Sequence, residues 1–178
     1  MIKYMNLIGI KARKASEYKV TTEVKNKVLN DYAKLIKNEK KFIINQNLKD
    51  VNYARKKGLK ENLIKRLHLN ENKLNGIINS ISKIAKLRDP IDNTLDKWKR
   101  PNGLHIKRVS IPIGVIGVIY ESRPNVTSDV ASLCFKSGNV VILKGGSEAI
   151  NSNKALAKLF RKALKKNKVD ENFIQFID

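Results

Sequence analysis

The sequence is poor in cysteine, acidic residues and long apolar runs, and each scarcity narrows the class of protein. A single cysteine, Cys134, excludes an intrachain disulfide and fits a reducing compartment. No stretch approaches the roughly 18 consecutive apolar residues of a membrane-spanning helix. The N-terminal residues lack the apolar segment and cleavage site of a secretory signal, which predicts a cytoplasmic protein. With 178 residues, one core and little more than one domain are expected.

Acidic residues are heavily outnumbered, with 37 Lys and Arg against 16 Asp and Glu and a net charge of +21. Such an excess is typical of nucleic-acid binding, because cationic side chains release counterions from phosphates. Lys dominates over Arg, however, and the charge is spread along most of the chain, which indicates a solvated lysine-coated surface. The only dense cluster is Arg161 to Lys168. A basic nucleic-acid-binding protein is therefore the less favoured alternative, and it predicts weaker binding when Lys162, Lys165 and Lys166 are replaced together.

Two common phosphate-binding motifs are also missing. Neither G-x-G-x-x-G nor G-x-x-x-x-G-K-[ST] occurs, so the standard dinucleotide fingerprint and the P-loop are both excluded. The two histidines, His68 and His105, do not fall in a metal-ligand pattern, and no metal site is predicted.

Helical periodicity dominates the first half of the chain. Apolar residues at three-and-four spacing predict helices over about Thr22 to Asn38, Leu48 to Lys57, Glu61 to Leu69, and from Asn70 to the Asp89-Pro90 stop. Thr22 is the expected N-cap of the first of these. Asp89 to Gly103 then has the composition of a polar connection, and Leu104 to Pro112 alternates like a half-exposed strand.

The second half carries the clearest pattern, between Pro112 and Ala149. Apolar strands are predicted over Gly114 to Tyr120, Val140 to Leu143 and Phe173 to Ile177, with helices over Val126 to Lys136 and about Glu148 to Lys166 between them. This βαβαβ order predicts an α/β fold with a parallel sheet, whose ligands bind at the carboxyl ends of the strands. Half of a doubly wound sheet is expected to leave a strand edge and a sheet face uncovered.

Polar turns follow the first two of these strands. In the first, YESRPN, the Arg123 guanidinium can hold a substrate carboxylate or phosphate, and a salt bridge to Glu121 is the structural alternative. The second is Lys144-Gly145-Gly146-Ser147-Glu148, where the glycines permit close backbone approach, the following helix offers N–H groups and Lys144 adds positive charge. It is predicted to hold a ribose or phosphate, and an ordinary turn capped by Ser147 is the alternative.

Several stretches resemble one protein family. YESRPNVT, KSGNVVILKGGSEA and WKRPNGLHIKRVSIPIGVIGVIY resemble the gamma-glutamyl phosphate reductases (glutamate-5-semialdehyde dehydrogenases), a proline-synthesis branch of the aldehyde dehydrogenase superfamily. IGIKARKAS and DVNYARKKGLKENLIKRLHLNENKL resemble the helical N-terminal region of the family. The resemblance covers essentially the whole chain but only the N-terminal portion of the family. It implies a helical region with its connection over 1–103, a bridging strand over 104–112, and the first half of an NADP-binding α/β domain over 113–178.

The resemblance also implies an activity, namely NADPH-dependent reduction of L-glutamate 5-phosphate to L-glutamate 5-semialdehyde by a homo-oligomer. Lys144 matches the superfamily lysine that contacts the adenosine ribose, and with Gly145, Gly146, Ser147 and Glu148 it forms the expected cofactor-binding turn. Many NAD-dependent members have a glutamate where this chain has Ser147, so NADP is the expected cofactor.

Asn125 matches the asparagine that donates to the oxyanion in the superfamily. The family's nucleophilic cysteine belongs to a later segment. Activity is therefore expected only with a complementary C-terminal chain, and a non-catalytic nucleotide-binding module or remnant is the alternative. Cys134 lies in a predicted helix beside Leu133 and Phe135, and we expect it to be a buried structural thiol.

Overall fold

The computed structural model describes residues 2–121 and 123–178, and within them the chain is an α/β fold, as predicted. Seven helices are formed by Ile2–Ser16 (α1), Thr22–Asn38 (α2), Lys40–Lys56 (α3), Glu61–Leu67 (α4), Glu71–Lys86 (α5), Pro124–Lys136 (α6) and Ile150–Lys166 (α7). Five strands are formed by Thr94–Lys99 (β1), His105–Val109 (β2), Val115–Ile119 (β3), Val140–Lys144 (β4) and Ile174–Phe176 (β5). Among these helices, none has the length and apolar character needed to cross a membrane.

The N-terminal helices differ from the sequence prediction at two starting points. Thr21, not Thr22, is the N-cap of α2, and its hydroxyl accepts a hydrogen bond from the Val24 N–H. The Thr22 hydroxyl donates instead to the Asp89 carboxylate, at 2.8 Å. The third helix begins at Lys40 rather than Leu48, because only Glu39 separates it from α2 and no Gly or Pro interrupts the chain there.

The connection predicted over Asp89 to Gly103 contains a strand that the sequence pattern did not reveal. β1 pairs antiparallel with β2, with Trp98 opposite Ile106 and Lys99 opposite His105. Every residue of β1 is exposed. The hydrophobic alternation that marks a half-buried strand is therefore absent, and the pattern could not distinguish this strand from a polar loop.

The main sheet has three parallel strands in the order β3-β4-β5. The helices α6 and α7 are its crossover connections and lie on one face, as right-handed crossovers require. The expectation of an uncovered second face is wrong for the central strand, because α1 packs against β4 there. The Gln175 side-chain amide donates to the Ile8 carbonyl at 2.9 Å, which ties β5 to α1. No strand of the described residues pairs with the outer edge of β3, and Ile119 is 87% exposed.

The helical region and the sheet share one hydrophobic core. Tyr32 of α2 stacks on Phe160 of α7 with ring centroids 4.4 Å apart, and Phe135 of α6 meets the edges of both Phe160 and Phe173. Val140 and Val141, adjacent in β4, are both fully buried, so this strand is covered on both faces. The core therefore fixes the position of α7, and with it the turn that joins α7 to β4.

Candidate functional site

The two polar turns singled out in the sequence lie side by side. Ile119 pairs with Lys144 in the parallel register of β3 and β4, and the Tyr120 N–H donates to the Lys144 carbonyl at 3.1 Å. Both turns therefore leave the same edge of the sheet, at the carboxyl ends of neighbouring strands. That edge is where ligands of parallel α/β sheets bind.

The first turn places Arg123 and Asn125 at the beginning of α6. Arg123 is the N-cap residue and is exposed, and no ion pair joins it to Glu121 in the described part of the chain. Asn125 is exposed one residue after Pro124, and its side-chain amide donates to the Asp129 carboxylate at 3.2 Å. Asp129 also accepts a hydrogen bond from the Ser80 hydroxyl of α5, at 2.9 Å. Asn125 is thus held against α6 through a carboxylate that is itself fixed.

The second turn is built on a short 3-10 helix over Ser147–Ala149 that precedes α7. Lys144 is the last residue of β4 and is half-buried, Gly145 is buried, and Ser147 is exposed. Within the described residues Ser147 does not make a side-chain capping hydrogen bond, and α7 begins only at Ile150. The alternative in which Ser147 simply caps the helix is therefore not supported.

The N–H groups expected at the start of α7 are already occupied by Asp50 of α3. The carboxylate of Asp50 accepts from the backbone N–H groups of Asn151 and Ser152, at 3.1 and 2.8 Å, and from both of their side chains. Asp50 is only 1% exposed. Since this carboxylate fills the positive end of the helix, an anion cannot bind those two N–H groups. Positive charge at the turn comes from Lys144.

Asn47, one turn before Asp50 on α3, extends this cap. Its amide donates to the Ser152 hydroxyl at 3.0 Å and to the Leu67 carbonyl at 2.9 Å, and its carbonyl accepts from the Leu69 N–H. Sequence reasoning missed both residues. The available signal was a pair of polar residues three positions apart, on the helix face that also carries the buried Val51 and Ala54.

A buried chain of hydroxyl and amide groups runs beneath both turns. Thr127 of α6 donates to the Asn153 carbonyl oxygen at 2.9 Å, and the Tyr120 hydroxyl lies 2.7 Å from the Thr127 hydroxyl. Among residues 2–121 and 123–178, the side-chain nitrogen of Asn153 has no hydrogen-bond partner, although Asn153 is fully buried. A Cβ atom at Gly145 would lie 2.2 Å from this nitrogen and 3.0 Å from the Tyr120 ring. Only glycine therefore fits at position 145.

Cys134 has the surroundings of a structural thiol. It lies in α6, half-buried and packed against the main core. Burial raises the pKa of its thiol, which disfavours the thiolate form that a nucleophile requires.

A groove of about 720 Å³ runs along α7 from the carboxyl end of β5. Lys158, Lys162 and Lys165 line it together with Phe42 and Phe176. The Lys154–Asp178 ion pair, at 2.6 Å, closes the end near β5. The groove thus includes part of the basic cluster seen in the sequence, and its lining residues belong to neither of the two turns.

Comparison with known proteins identifies similar sequences, although no protein-family model matches the chain. Gamma-glutamyl phosphate reductase from Persephonella marina is 43% identical over 177 residues, covering 98% of this chain and 40% of the relative. The reductase from Aliarcobacter butzleri is 50% identical over 153 residues, covering 86% of this chain and 37% of the relative. The chain thus spans about 40% of the length of the curated relatives it matches.

Solved structures give the same result. The crystal structure of gamma-glutamyl phosphate reductase from Thermotoga maritima superposes with a TM-score of 0.93 at 42% identity, covering 96% of this chain and 42% of that one. Glyceraldehyde-3-phosphate dehydrogenase from Methanocaldococcus jannaschii, solved in complex with NADP, shares the fold at a TM-score of 0.66 and 18% identity, covering 98% of this chain and 36% of that one. By sequence and by structure, this chain matches the N-terminal part of the gamma-glutamyl phosphate reductases, within the aldehyde dehydrogenase fold.

Proposed function

We propose that this chain is the cofactor-binding N-terminal part of an enzyme that reduces L-glutamate 5-phosphate to L-glutamate 5-semialdehyde with NADPH, in proline biosynthesis. The observation that carries the proposal is the adjacency of the two polar turns, in a chain similar to reductases of that name over nearly its whole length. The turn after β4, residues 144–148, binds the cofactor and is called the cofactor turn. The turn after β3, residues 120–125, binds the substrate and is called the substrate turn. The division into a helical region (1–103), a bridging strand (104–112) and half of a nucleotide-binding domain (113–178) belongs to the same proposal.

The residues of the second turn fit a nucleotide cofactor. Lys144 is half-buried beside a backbone that Gly145 and Gly146 keep free of side chains, and the exposed Ser147 offers a neutral hydroxyl. A neutral residue at position 147 does not repel a 2′-phosphate as a carboxylate would, which favours NADP over NAD. Glu148 completes the proposed cofactor-binding set. NADPH, when bound, supplies the hydride for the reduction, and a related fold has been solved with NADP.

The first turn supplies groups for the substrate. The Asn125 amide is proposed to donate to the oxyanion that develops at the reacting carbonyl, and Arg123 to pair with the substrate's carboxylate or phosphate. Asn125 is exposed at the beginning of α6, and Asp129 holds its side chain. Cys134 is not proposed as the nucleophile, because its thiol packs against the core. A complementary C-terminal segment is proposed to bring that cysteine.

The completed enzyme is proposed to be a cytoplasmic homo-oligomer. Leu95, Trp98 and Leu104, on the β1-β2 hairpin and its turn, expose apolar side chains that self-association would cover. The single unpaired cysteine agrees with a reducing compartment.

Calorimetric titration with NADPH tests the proposal on the chain alone and on the chain co-expressed with the C-terminal segment of the Persephonella marina reductase. Saturable binding is expected in both samples, and turnover only in the co-expressed pair. Lys144→Ala is expected to weaken NADPH binding by about tenfold or more, as loss of a charge-assisted contact does. Lys83→Ala, which removes an exposed lysine from α5, is the matched control and should bind like the unsubstituted chain.

Three other outcomes would separate the alternatives. Binding without turnover in the pair leaves a nucleotide-binding module. Equal NADPH binding by the Lys144→Ala and Lys83→Ala variants would mean that Lys144 and its turn do not bind the cofactor. Absence of NADPH binding by a folded sample in both settings contradicts the cofactor assignment.

A further inference from the structure

We propose that Tyr120, Thr127 and Asn153 form a buried positioning network that sets the shape of the cofactor turn and couples it to the substrate turn. This inference rests on the proposed function of the two turns. Tyr120 directly follows β3 and is the first residue of the substrate turn, Thr127 lies on α6, and Asn153 lies on α7 directly beneath Gly145. A chain of hydrogen-bonded side chains thus runs from the substrate turn to Asn153, which lies against the backbone of the cofactor turn.

The direction of the hydrogen bonds follows from counting protons. Thr127 has one hydroxyl proton and donates it to the Asn153 oxygen, so the Tyr120 hydroxyl must be the donor in its contact with Thr127. Thr127 is 1% exposed and Asn153 is fully buried, so water does not compete for the bond between them, whereas Tyr120 is half-buried. Such bonds strengthen each other in a low-dielectric interior, and the network holds its members in one arrangement.

The Asn153 nitrogen is without a partner in the part of the chain that the structure describes, which indicates that the network serves the turn rather than stability alone. A buried amide N–H without a partner is costly, and native proteins keep few of them. This one points at Gly145, where even a methyl group would collide with it. Asn153 therefore supports the buried backbone that leads from Lys144 into Gly146.

The Tyr120 ring gives the network its second contact with the turn. Its edge lies 3.0 Å from the position of a Gly145 Cβ, and its backbone N–H donates to the Lys144 carbonyl. A displacement of the substrate turn therefore moves the ring that packs against the cofactor turn. Through Tyr120, binding at either turn is expected to alter affinity at the other, since such coupling is reciprocal.

Three variants at two neighbouring residues of α6 test the network. Thr127→Val keeps the shape of the side chain and removes the hydroxyl, while Thr127→Ser keeps the hydroxyl. Ser128→Ala is the matched control: it also removes a buried hydroxyl of α6, but one that contacts Tyr32 and not the network. NADPH affinity is expected to fall by about threefold to tenfold in Thr127→Val, to be largely restored in Thr127→Ser, and to be unchanged in Ser128→Ala.

A second readout does not depend on NADPH. Amide hydrogen exchange at Gly145 and Gly146 should accelerate in Thr127→Val relative to Ser128→Ala when the two are compared at equal global stability. Tyr120→Phe, which removes only one hydroxyl from a half-buried ring, replaces Thr127→Val if that variant does not fold.

Unchanged NADPH affinity and unchanged exchange in these variants would overturn the network. If Lys144→Ala weakens NADPH binding while Thr127→Val does not, the network is overturned and the proposed function remains. If the unsubstituted chain does not bind NADPH, the proposed function fails as well.

Discussion

The carboxylate of Asp50 accepts a 2.8 Å hydrogen bond from the backbone N–H of Ser152, 102 residues later in the chain. This contact places an acidic side chain of the helical region at the start of the helix that follows the cofactor turn. The contact holds the end of the cofactor turn that leads into α7. It also occupies the N-terminus of α7, so a phosphate cannot bind there.

Replacing Asp50 by Ala should lower the free energy of unfolding by about 3 kcal/mol, because two backbone N–H groups and two side chains would lose their acceptor. Urea unfolding followed by circular dichroism measures the change. Asp96→Ala, at an exposed position of β1, is the control and should stay within about 0.5 kcal/mol of the unsubstituted chain. An equal effect of the two substitutions would contradict the importance of this cap.

Stability should fall in acid because of Asp89. Burial favours its neutral form, but hydrogen bonds from Lys25, the Ile91 N–H and Thr22 prevail and lower its pKa. The charged carboxylate therefore stabilises the fold above the ordinary carboxyl pKa of about 4, and this contribution is lost as the pH falls through the lowered native pKa. Thermal unfolding at pH values from about 6 to 3 should show a falling Tm.

Asp89→Asn should lower the Tm at neutral pH, because it leaves the buried Lys25 without its ion pair, and should flatten the dependence on acid. Asp92→Asn is the control. Asp92 is exposed with a φ of 57°, a conformation that Asn also tolerates. Parallel Tm profiles for the chain and for Asp89→Asn would show that other carboxyl groups dominate, with Asp31 the next candidate because its pKa is also lowered.

The Cys134 thiol should react slowly with a disulfide reagent at pH 8. Burial raises its pKa, so both the thiolate fraction and access are reduced. The reaction is expected to be at least about tenfold slower in the folded chain than in urea, and Cys134→Ala should bind NADPH normally. A folded-state rate as fast as the rate in urea would mean that the thiol is open to reagents.

Phe160→Ala should destabilise the chain by about 3–5 kcal/mol, since the ring joins Tyr32 of α2 to Phe135 of α6. The unfolding transition should remain single, because the helical region and the sheet share this core. Coincident urea curves from far-UV circular dichroism and from near-UV circular dichroism, which responds to the packed rings of this core, would support one cooperative unit. Two separated transitions would show that the two regions unfold independently.

Much of the fold follows from local pattern. The apolar spacing of α2 and α5, the β-branched runs of β3 and β4, and the order of elements determine the α/β class and the parallel sheet. The adjacency of the two turns also follows, because parallel strands joined by a crossover end at one edge. The strand β1 could not be predicted, since both of its faces are exposed.

The polar contacts of the site lay beyond local pattern. Asp50 contacts Ser152 across most of the chain, and Asn153 lies beneath Gly145 because α7 packs against α6. Neither partner can be chosen from spacing along the sequence, because each depends on how the helices are placed in three dimensions. The same limit applies to the N-cap of α2. Thr21 and Thr22 are equally good N-cap residues by sequence, and only the hydrogen bond from the Thr22 hydroxyl to Asp89 distinguishes them.

The open edge of β3 has a consequence for the behaviour of the chain in solution. Among the described residues no strand pairs with this edge, so a second copy could extend it. Ile113, just before β3, and Ile119, its last residue, are 83% and 87% exposed. The net charge of +21 keeps copies apart at low ionic strength. Near 1 M salt the screening length shrinks to about 3 Å, and that repulsion disappears. Concentrated stocks should therefore stay clear in dilute buffer and become turbid as salt is added.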